Sequence, residues 1–342
     1  MDIRRDDLSF KGDEMMRIHI ALAADEKFTC GLIVTAGSMA MHASRDAELV
    51  FHILDGGIEA ATFKRIVAMV TKWHPHCEFV RHPVDESVFS DFPIWGANRM
   101  TYARFLIPRF LPDEDYCIYC DVDFVWLADV GELWSKRNQA DLFWSACETC
   151  NETLDKEERW FAARSLSFGR DKYFCAGLSF YNLKKMRQEG IFESMVSFMT
   201  AHPDVQMVDQ TAANAVLYSR AVLLDSRWQR ITISRTEGEL VKDKVLHLAG
   251  ECPWKRRFWT EMLTDTILLW HRMNGKIHGK TTFWSLRQYF PLRQIIARRA
   301  LWYVVRVWGV RSVFGLLLRM MNRGVYIPEF AKWSHGAVWR GV

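Results

Sequence analysis

The sequence predicts an α/β fold: a Rossmann-like, mainly parallel sheet covered by helices, followed by a basic, aromatic, helical C-terminal tail. Three observations predict it. Strand-like and helix-like runs alternate from residue 17 to about 130. A chain of 342 residues, 49% hydrophobic and 25% charged, can close one large α/β domain plus an appendage, and its composition excludes wholesale disorder, collagen and coiled coil. The charge is also unevenly split. From Lys276 to Val342 twelve Lys or Arg stand against Glu329, a net +11, so the overall +4 leaves −7 for residues 1–275.

The elements follow in order. Arg17–Ala24 is a short apolar run rich in strand formers, closed by Asp25. Phe28–Ala43 has neither proline nor Asp, Glu, Lys or Arg and reads as a buried helix. Glu48–Leu54 is a second strand, ended by the turn Asp55-Gly56-Gly57. Ile58–Trp73 carries Phe63, Ile66, Val67 and Val70 as a helical stripe. Cys77–Val84 is a third strand, and Met100–Phe110 a helix expected to stop near Pro108 and Pro112. Tyr116–Val125 is the fourth strand. Beyond it the strand candidates are Ala140–Cys147, Tyr173–Tyr181, Ala221–Leu224 and Lys244–Leu248, and the helix candidates Asn182–Ala201 and Val208–Ser219. Acidic residues thin out near 255–280, which predicts one domain over 16–255 and a separate region over 256–342.

No stretch reaches the roughly 18 charge-free apolar residues of a membrane span. Residues 1–16 lack the apolar run of a secretory signal, so a cytoplasmic protein with reduced thiols is expected. Among eight cysteines, the pairs Cys117/Cys120 and Cys147/Cys150 are too far apart for a zinc ribbon, and buried apolar cysteine is the better reading. His74, His76 and His82 read as loop and strand surface, because Pro75 and Pro83 break any helical ligand spacing.

Asp121-Val122-Asp123 follows an apolar strand. Residues two apart in extended chain share a side, so both carboxylates can converge on one cation beyond the strand's carboxyl end. Hard oxygens suit Mg²⁺ or Mn²⁺, with room left for phosphate oxygens. His247 follows another apolar run and precedes Gly250, which lets backbone approach a phosphate; a neutral imidazole can join two carboxylates as third ligand.

Five ordered landmarks carry a resemblance. They are the opening strand with Ala23-Ala24-Asp25, the turn Leu54-Asp55-Gly56-Gly57-Ile58, and Thr101-Tyr102-Ala103-Arg104. Tyr119-Cys120-Asp121-Val122-Asp123 and His247-x-x-Gly250…Pro253-Trp254 complete them. From about Ile18 to Trp254 the chain resembles glycosyltransferase family 8, retaining bacterial galactosyl- and glucosyltransferases of the lipopolysaccharide-core type with a GT-A nucleotide-sugar-binding fold. The resemblance implies a UDP-sugar donor, Mn²⁺ or Mg²⁺ held by Asp121, Asp123 and His247, and a glycolipid or oligosaccharide acceptor. Ala23, Ala24 and Asp25 would line the uracil pocket, and Phe28 would offer a ring to the base, although alone it reads as a helix-core residue. Val122, Gly250 and Lys255 would be further contacts to the nucleotide. Arg104 would meet the diphosphate or donor sugar, Asp209 the sugar hydroxyls, and Gln210 the β-face of the anomeric carbon.

The chain departs from the family pattern at three points. Cys175 stands where Asn is usual, Cys252 precedes Pro253 where Lys is usual, and Thr211 replaces the second acid of Asp-Gln-Asp. A nucleotide-sugar-binding membrane protein without turnover is therefore an alternative. A haloacid-dehalogenase-like phosphatase also places D-x-D after a strand, but it needs a hydroxyl where Val125 stands.

The tail interleaves arginines (293, 298, 299, 306, 311, 319, 323) with bulky apolar residues and holds five tryptophans (284, 302, 308, 333, 339). This pattern predicts peripheral association with an anionic membrane surface, on the inner face of the cytoplasmic membrane, rather than with nucleic acid.

Overall fold

The computed structural model describes residues 15–94, 99–137, 143–146, 151–217, 220–231, 243–249, 253–254 and 263–308. Its strands are β1 (Met16–Ala24), β2 (Ala47–Asp55), β3 (Cys77–Pro83), β4 (Tyr116–Cys120), β5 (Phe124–Trp126), β6 (Phe143–Ala146), β7 (Leu178–Asn182), β8 (Ala221–Leu224), β9 (Arg230–Ile231) and β10 (Val245–His247). Among the described residues they form a seven-stranded sheet, ordered β3-β2-β1-β4-β7-β6-β8, and a three-stranded sheet, ordered β5-β10-β9.

The β1, β2, β3 and β4 strands are parallel; β7 runs antiparallel to β4, β6 antiparallel to β7, and β8 parallel to β6. Parallel strands need crossover connections, and the helices Thr29–His42 and Ala60–Val70 supply them. Both faces of β1 are covered. Ile18, Ile20 and Leu22 join one core cluster and Ala21 the other, which is why the strand reads as one apolar run. After β1 the chain goes to β2 on one side and reaches β4 on the other. A crevice therefore opens beyond the carboxyl ends of β1 and β4, where Asp25 and Asp121 follow.

Several expected elements differ. The fourth strand is two strands: β4 ends at Cys120, residues 121–123 turn, and β5 joins the small sheet. The two carboxylates are thus brought together by a turn between sheets, not by the two-residue period of one strand. Met100–Leu106 is a 3₁₀ helix, and Pro108 lies in the first turn of the α-helix Ile107–Phe110, where its missing N–H is not needed. The segment before Leu178 is not strand, and the long helix after Asn182 is two, Leu183–Gln188 and Ile191–Ala201, separated at Gly190 with φ 62°. His74 is buried, with Nε2 2.9 Å from the Ser44 carbonyl oxygen, rather than on the surface. Cys117 and Cys120 face opposite clusters, as the strand period requires.

The helix Asp265–Ile277 places Trp270, Met273 and Ile277 in the same cluster as β1, so this helix, within the region expected over 256–342, shares core with the sheet domain. At Gly37 an added Cβ would lie 2.6 Å from Ile277 Cδ1. Gly31 is tighter. Its Cβ would strike the Val122 carbonyl oxygen and lie 2.8 Å from Trp254 Cη2, so a helix is packed directly onto the turn that carries the acids. Gly31→Ala should lower unfolding stability by about 1–3 kcal/mol in denaturant titration, because backbone has to move.

Candidate active site

Three side chains from two elements meet at the crevice. Asp121 and Asp123 flank the β4–β5 turn, and β10 pairs antiparallel with β5 so that His247 lies opposite Phe124. That register sets the imidazole beside the turn, stacked on the Phe124 ring at 4.2 Å. One ligand atom from each of Asp121, Asp123 and His247 lies within 4.8 Å of the others. Asp123 Oδ1 is buried without a hydrogen bond, 3.3 Å from His247 Nε2. Burial disfavours a charged imidazole, but the Asp123 carboxylate outweighs it and holds the His247 pKa well above the usual range.

The donor set fits a divalent cation on further grounds. Gly177 forms one wall: an added Cβ would lie 2.7 Å from His247 Cε1 and 3.1 Å from Asp121 Oδ2, closing the space between two ligands. Gln229 Nε2 lies 3.1 Å from His247 Nδ1, and Gln229 Oε1 is buried without a partner. Turning that amide over gives Nδ1–H an acceptor and leaves the Nε2 lone pair to a metal.

Arg104 ties this cluster to the next. It is 5% exposed on the 3₁₀ helix Met100–Leu106, and its guanidinium has four acceptors. Nε donates to the Thr101 carbonyl at 3.0 Å, Nη2 to Asp121 Oδ1 at 2.8 Å, and Nη1 to the Ala176 carbonyl at 2.6 Å; Nη1 also lies 3.0 Å from Asp209 Oδ2. The group sits over the Tyr119 ring at 4.2 Å. Asp209 opens the helix Asp209–Leu217, with Thr101 donating to its other oxygen. Burial pushes Asp209 up to about 6, with Arg104 and Thr101 pulling against it. The preceding Val208 holds φ 44°, a left-handed conformation costly for a β-branched residue. Gln210 faces back onto the 173–177 segment: Ala176 N–H donates to its Oε1 at 3.1 Å, and its Nε2 donates to the Tyr173 hydroxyl at 2.7 Å.

The profile described as Glycosyl transferase family 8 matches residues 19–257. The chain belongs to glycosyltransferase family 8. It is 28% identical over 227 residues to General stress protein A of Bacillus subtilis, spanning 64% of this chain and 75% of that one. It is 25% identical over 232 residues to a putative glycosyltransferase of Haemophilus influenzae, spanning 67% of each. Among solved structures it resembles the galactosyltransferase LgtC, determined with donor and acceptor sugar analogues, with TM-score 0.62, 24% identity, and coverage of 76% of this chain and 96% of that one. This likeness shows the fold, which is GT-A.

In this family 8 chain Ala23, Ala24, Asp25 and Phe28 lie at and just beyond the carboxyl end of β1, on the crevice side of the sheet. Ala23 and Ala24 close β1, and Asp25 caps the turn Glu26–Phe28, its Oδ1 accepting from Phe28 N–H at 3.1 Å. Phe28 is half-buried and meets Trp254 edge-on at 6.0 Å. The Val122 carbonyl points at Gly31. Gly250, Cys252 and Lys255 lie outside the described residues. Sequence reasoning missed Thr101 as a partner of Asp209, Gly177 as a wall of the metal cradle, and Gln229 behind His247. For Gly177 a signal was present, since it stands two residues after Cys175, a position where the chain departs from the family pattern. Gln229 carried none, because a lone Gln beside an apolar strand is unremarkable.

Gly177→Ala should weaken Mn²⁺ binding about tenfold or more by isothermal titration calorimetry, the range seen when the support of metal ligands is disturbed. The same substitution elsewhere on the chain's surface should leave binding unchanged.

Proposed function

We propose that the protein is a metal-dependent, retaining hexosyltransferase that moves galactose or glucose from a UDP-sugar to a saccharide or glycolipid acceptor, with a lipopolysaccharide or lipooligosaccharide core as the acceptor class. The observation that carries the reading is the convergence of Asp121, Asp123 and His247 at the carboxyl end of the parallel strands, joined through Arg104 to Asp209 and its neighbour Gln210. A divalent cation held by the first three would neutralise the diphosphate as it leaves. Mn²⁺ is the preferred ion and Mg²⁺ the alternative.

The chain's own groups then divide the work. Ala23, Ala24, Asp25 and Phe28 hold the uridine, with Val122, Gly250 and Lys255 as further contacts. Asp209 and Gln210 sit at the donor sugar; Arg104 holds Asp209 in place while presenting positive charge behind Asp121 and Asp209. Retention by a covalent route needs a free carboxylate at the anomeric carbon. Here Asp209 is bound by Arg104 and Thr101, and Gln210 is a neutral amide. Both facts favour front-face attack, in which the departing diphosphate accepts the acceptor hydroxyl's proton and catalysis comes from positioning and charge.

The tail fits a membrane-borne acceptor. No described helix is long and apolar enough to cross a membrane. Phe283, Leu292, Ile296 and Tyr303 are nevertheless exposed, at 48–63%, on the basic helices Thr282–Tyr289 and Leu292–Trp308. This arrangement suits peripheral binding to the anionic inner face of the cytoplasmic membrane.

UDP release from UDP-galactose and UDP-glucose, measured with and without Mn²⁺, tests the reading. We expect release that depends on the sugar and the metal, and a fall of about 100-fold or more in Asp123→Asn. UDP-sugar binding with no turnover on any lipid or oligosaccharide acceptor would contradict it.

A further inference from the structure

The helix Asn151–Ala162 is solvated along most of its length, with Asp155, Lys156, Glu158 and Arg159 exposed. Its buried stripe holds Trp160, Phe161 and one acid, Glu157, which is 0% exposed. An unpaired carboxylate in an apolar position costs stability, so its partners are informative. Glu157 Oε2 accepts from the Tyr173 hydroxyl at 3.1 Å and from Thr211 Oγ1 at 3.0 Å, while Oε1 is buried without a partner. Thr211 in turn accepts from Met207 N–H at 2.8 Å.

These bonds have a direction. The Tyr173 oxygen accepts from Gln210 Nε2 only while its own proton points elsewhere, and Glu157 is the acceptor that takes it. At the other end of the amide, Oε1 accepts from Ala176 N–H, so with Glu157 in place both ends favour the same orientation. Remove Glu157, and the Tyr173 proton can turn to Gln210, favouring an amide rotated by 180°. Rotation would set NH₂ against the Ala176 N–H and exchange partial negative for partial positive charge on the Gln210 side chain.

We propose that Glu157 is a positioning residue for glycosyl transfer: acting through Tyr173, it fixes which way the Gln210 amide faces at the donor sugar. The assignment rests on the transferase reading for its consequence, but the geometry of the relay stands apart from it. It also accounts for Thr211 where the family pattern has a second acid. A carboxylate at position 211 would face Glu157, whereas a hydroxyl donates to it. Burial pushes Glu157 up to about 7, with Thr211 and Tyr173 pulling it down. Its proton is thus held above the ~4.3 of an unfolded chain. Ionisation therefore costs stability as pH rises between those values, and Glu157→Gln should be spared that loss.

The test uses the full chain with UDP-galactose and UDP-glucose, Mn²⁺, and the variants Glu157→Gln, Glu157→Leu and Tyr173→Phe. Gln keeps the acceptor oxygen, so its kcat should stay within about threefold of wild type. Leu and Phe should lower kcat about tenfold or more with donor KM nearly unchanged, the effect of about 1.4 kcal/mol of lost orientation. Tyr173→Phe is close to isosteric and keeps the test decisive should the Leu variant fail to fold. Unchanged kcat in both, equal loss in Gln and Leu at native melting temperature, or loss carried by KM would each overturn the proposal. The Gln210 side-chain amide resonances, assigned by their absence in Gln210→Met, decide it even if no hexose is transferred. They should be matched in wild type and Glu157→Gln and displaced in Tyr173→Phe and Glu157→Leu. Identical spectra in all four proteins would overturn the relay, whereas absence of turnover in wild type would overturn only the transferase reading.

Discussion

Arg104 lies within bonding distance of both Asp121, one of the three residues that could hold a metal, and Asp209 at the start of a helix, and the geometry of the crevice depends on that fact. Its guanidinium reaches Asp121 and Asp209 with different nitrogens and holds the Ala176 carbonyl between them. Asp209 is buried and Asp121 partly buried, so without the guanidinium the two carboxylates would repel each other and resist ionisation. Removing one partner from such a buried network costs on the order of 3–5 kcal/mol. The planar fork also sets their separation, which a lysine's point charge would not. Because Asp121 belongs to the β4–β5 turn and Asp209 to a helix start, one side chain aligns two elements that share no strand pairing.

Close backbone approach is the second constraint. Gly31 lets a helix press on the Val122 carbonyl, and Gly177 lets the 173–177 segment press on His247 and Asp121. The same segment is held from behind: Asn214 accepts from Phe174 N–H and donates to its carbonyl, and Gln210 accepts from Ala176 N–H. Helix, segment and turn therefore form one rigid wall. Cys175, where Asn is usual, lies in this wall with Sγ 3.9 Å from His247 Nδ1, on the side away from Asp123.

Much of this was legible in the sequence. β1, β2 and β4 were readable because each is a largely apolar run closed by or followed by Asp, and Asp121, Asp123 and His247 were readable as a group that could hold a metal from their positions at the ends of such runs. The break between β4 and β5 was not, because Asp121-Val122-Asp123 sits between two apolar runs, Tyr116–Cys120 and Phe124–Trp126, that read as one strand. Pairing of β5 with β10, far later in the chain, imposes it. Pro108 misled for a related reason: it is a stop signal inside a helix and a start signal in its first turn, and only the 3₁₀ segment before it decides which. Arg104 did carry a signal, a lone cation among Tyr102, Ala103 and Phe105, yet its partners come from three separate segments. The family resemblance implied that it meets a ligand; its contacts with Asp121 and Asp209 were legible only once the fold brought those segments together.

The most direct check of the central claim is a crystal structure with UDP and Mn²⁺, read by anomalous scattering at the manganese edge. The account predicts one strong peak about 2 Å from oxygens of Asp121 and Asp123 and from His247 Nε2, with diphosphate oxygens completing the shell. A peak bound by phosphate alone, or one that leaves the imidazole of His247 outside the shell, would contradict it.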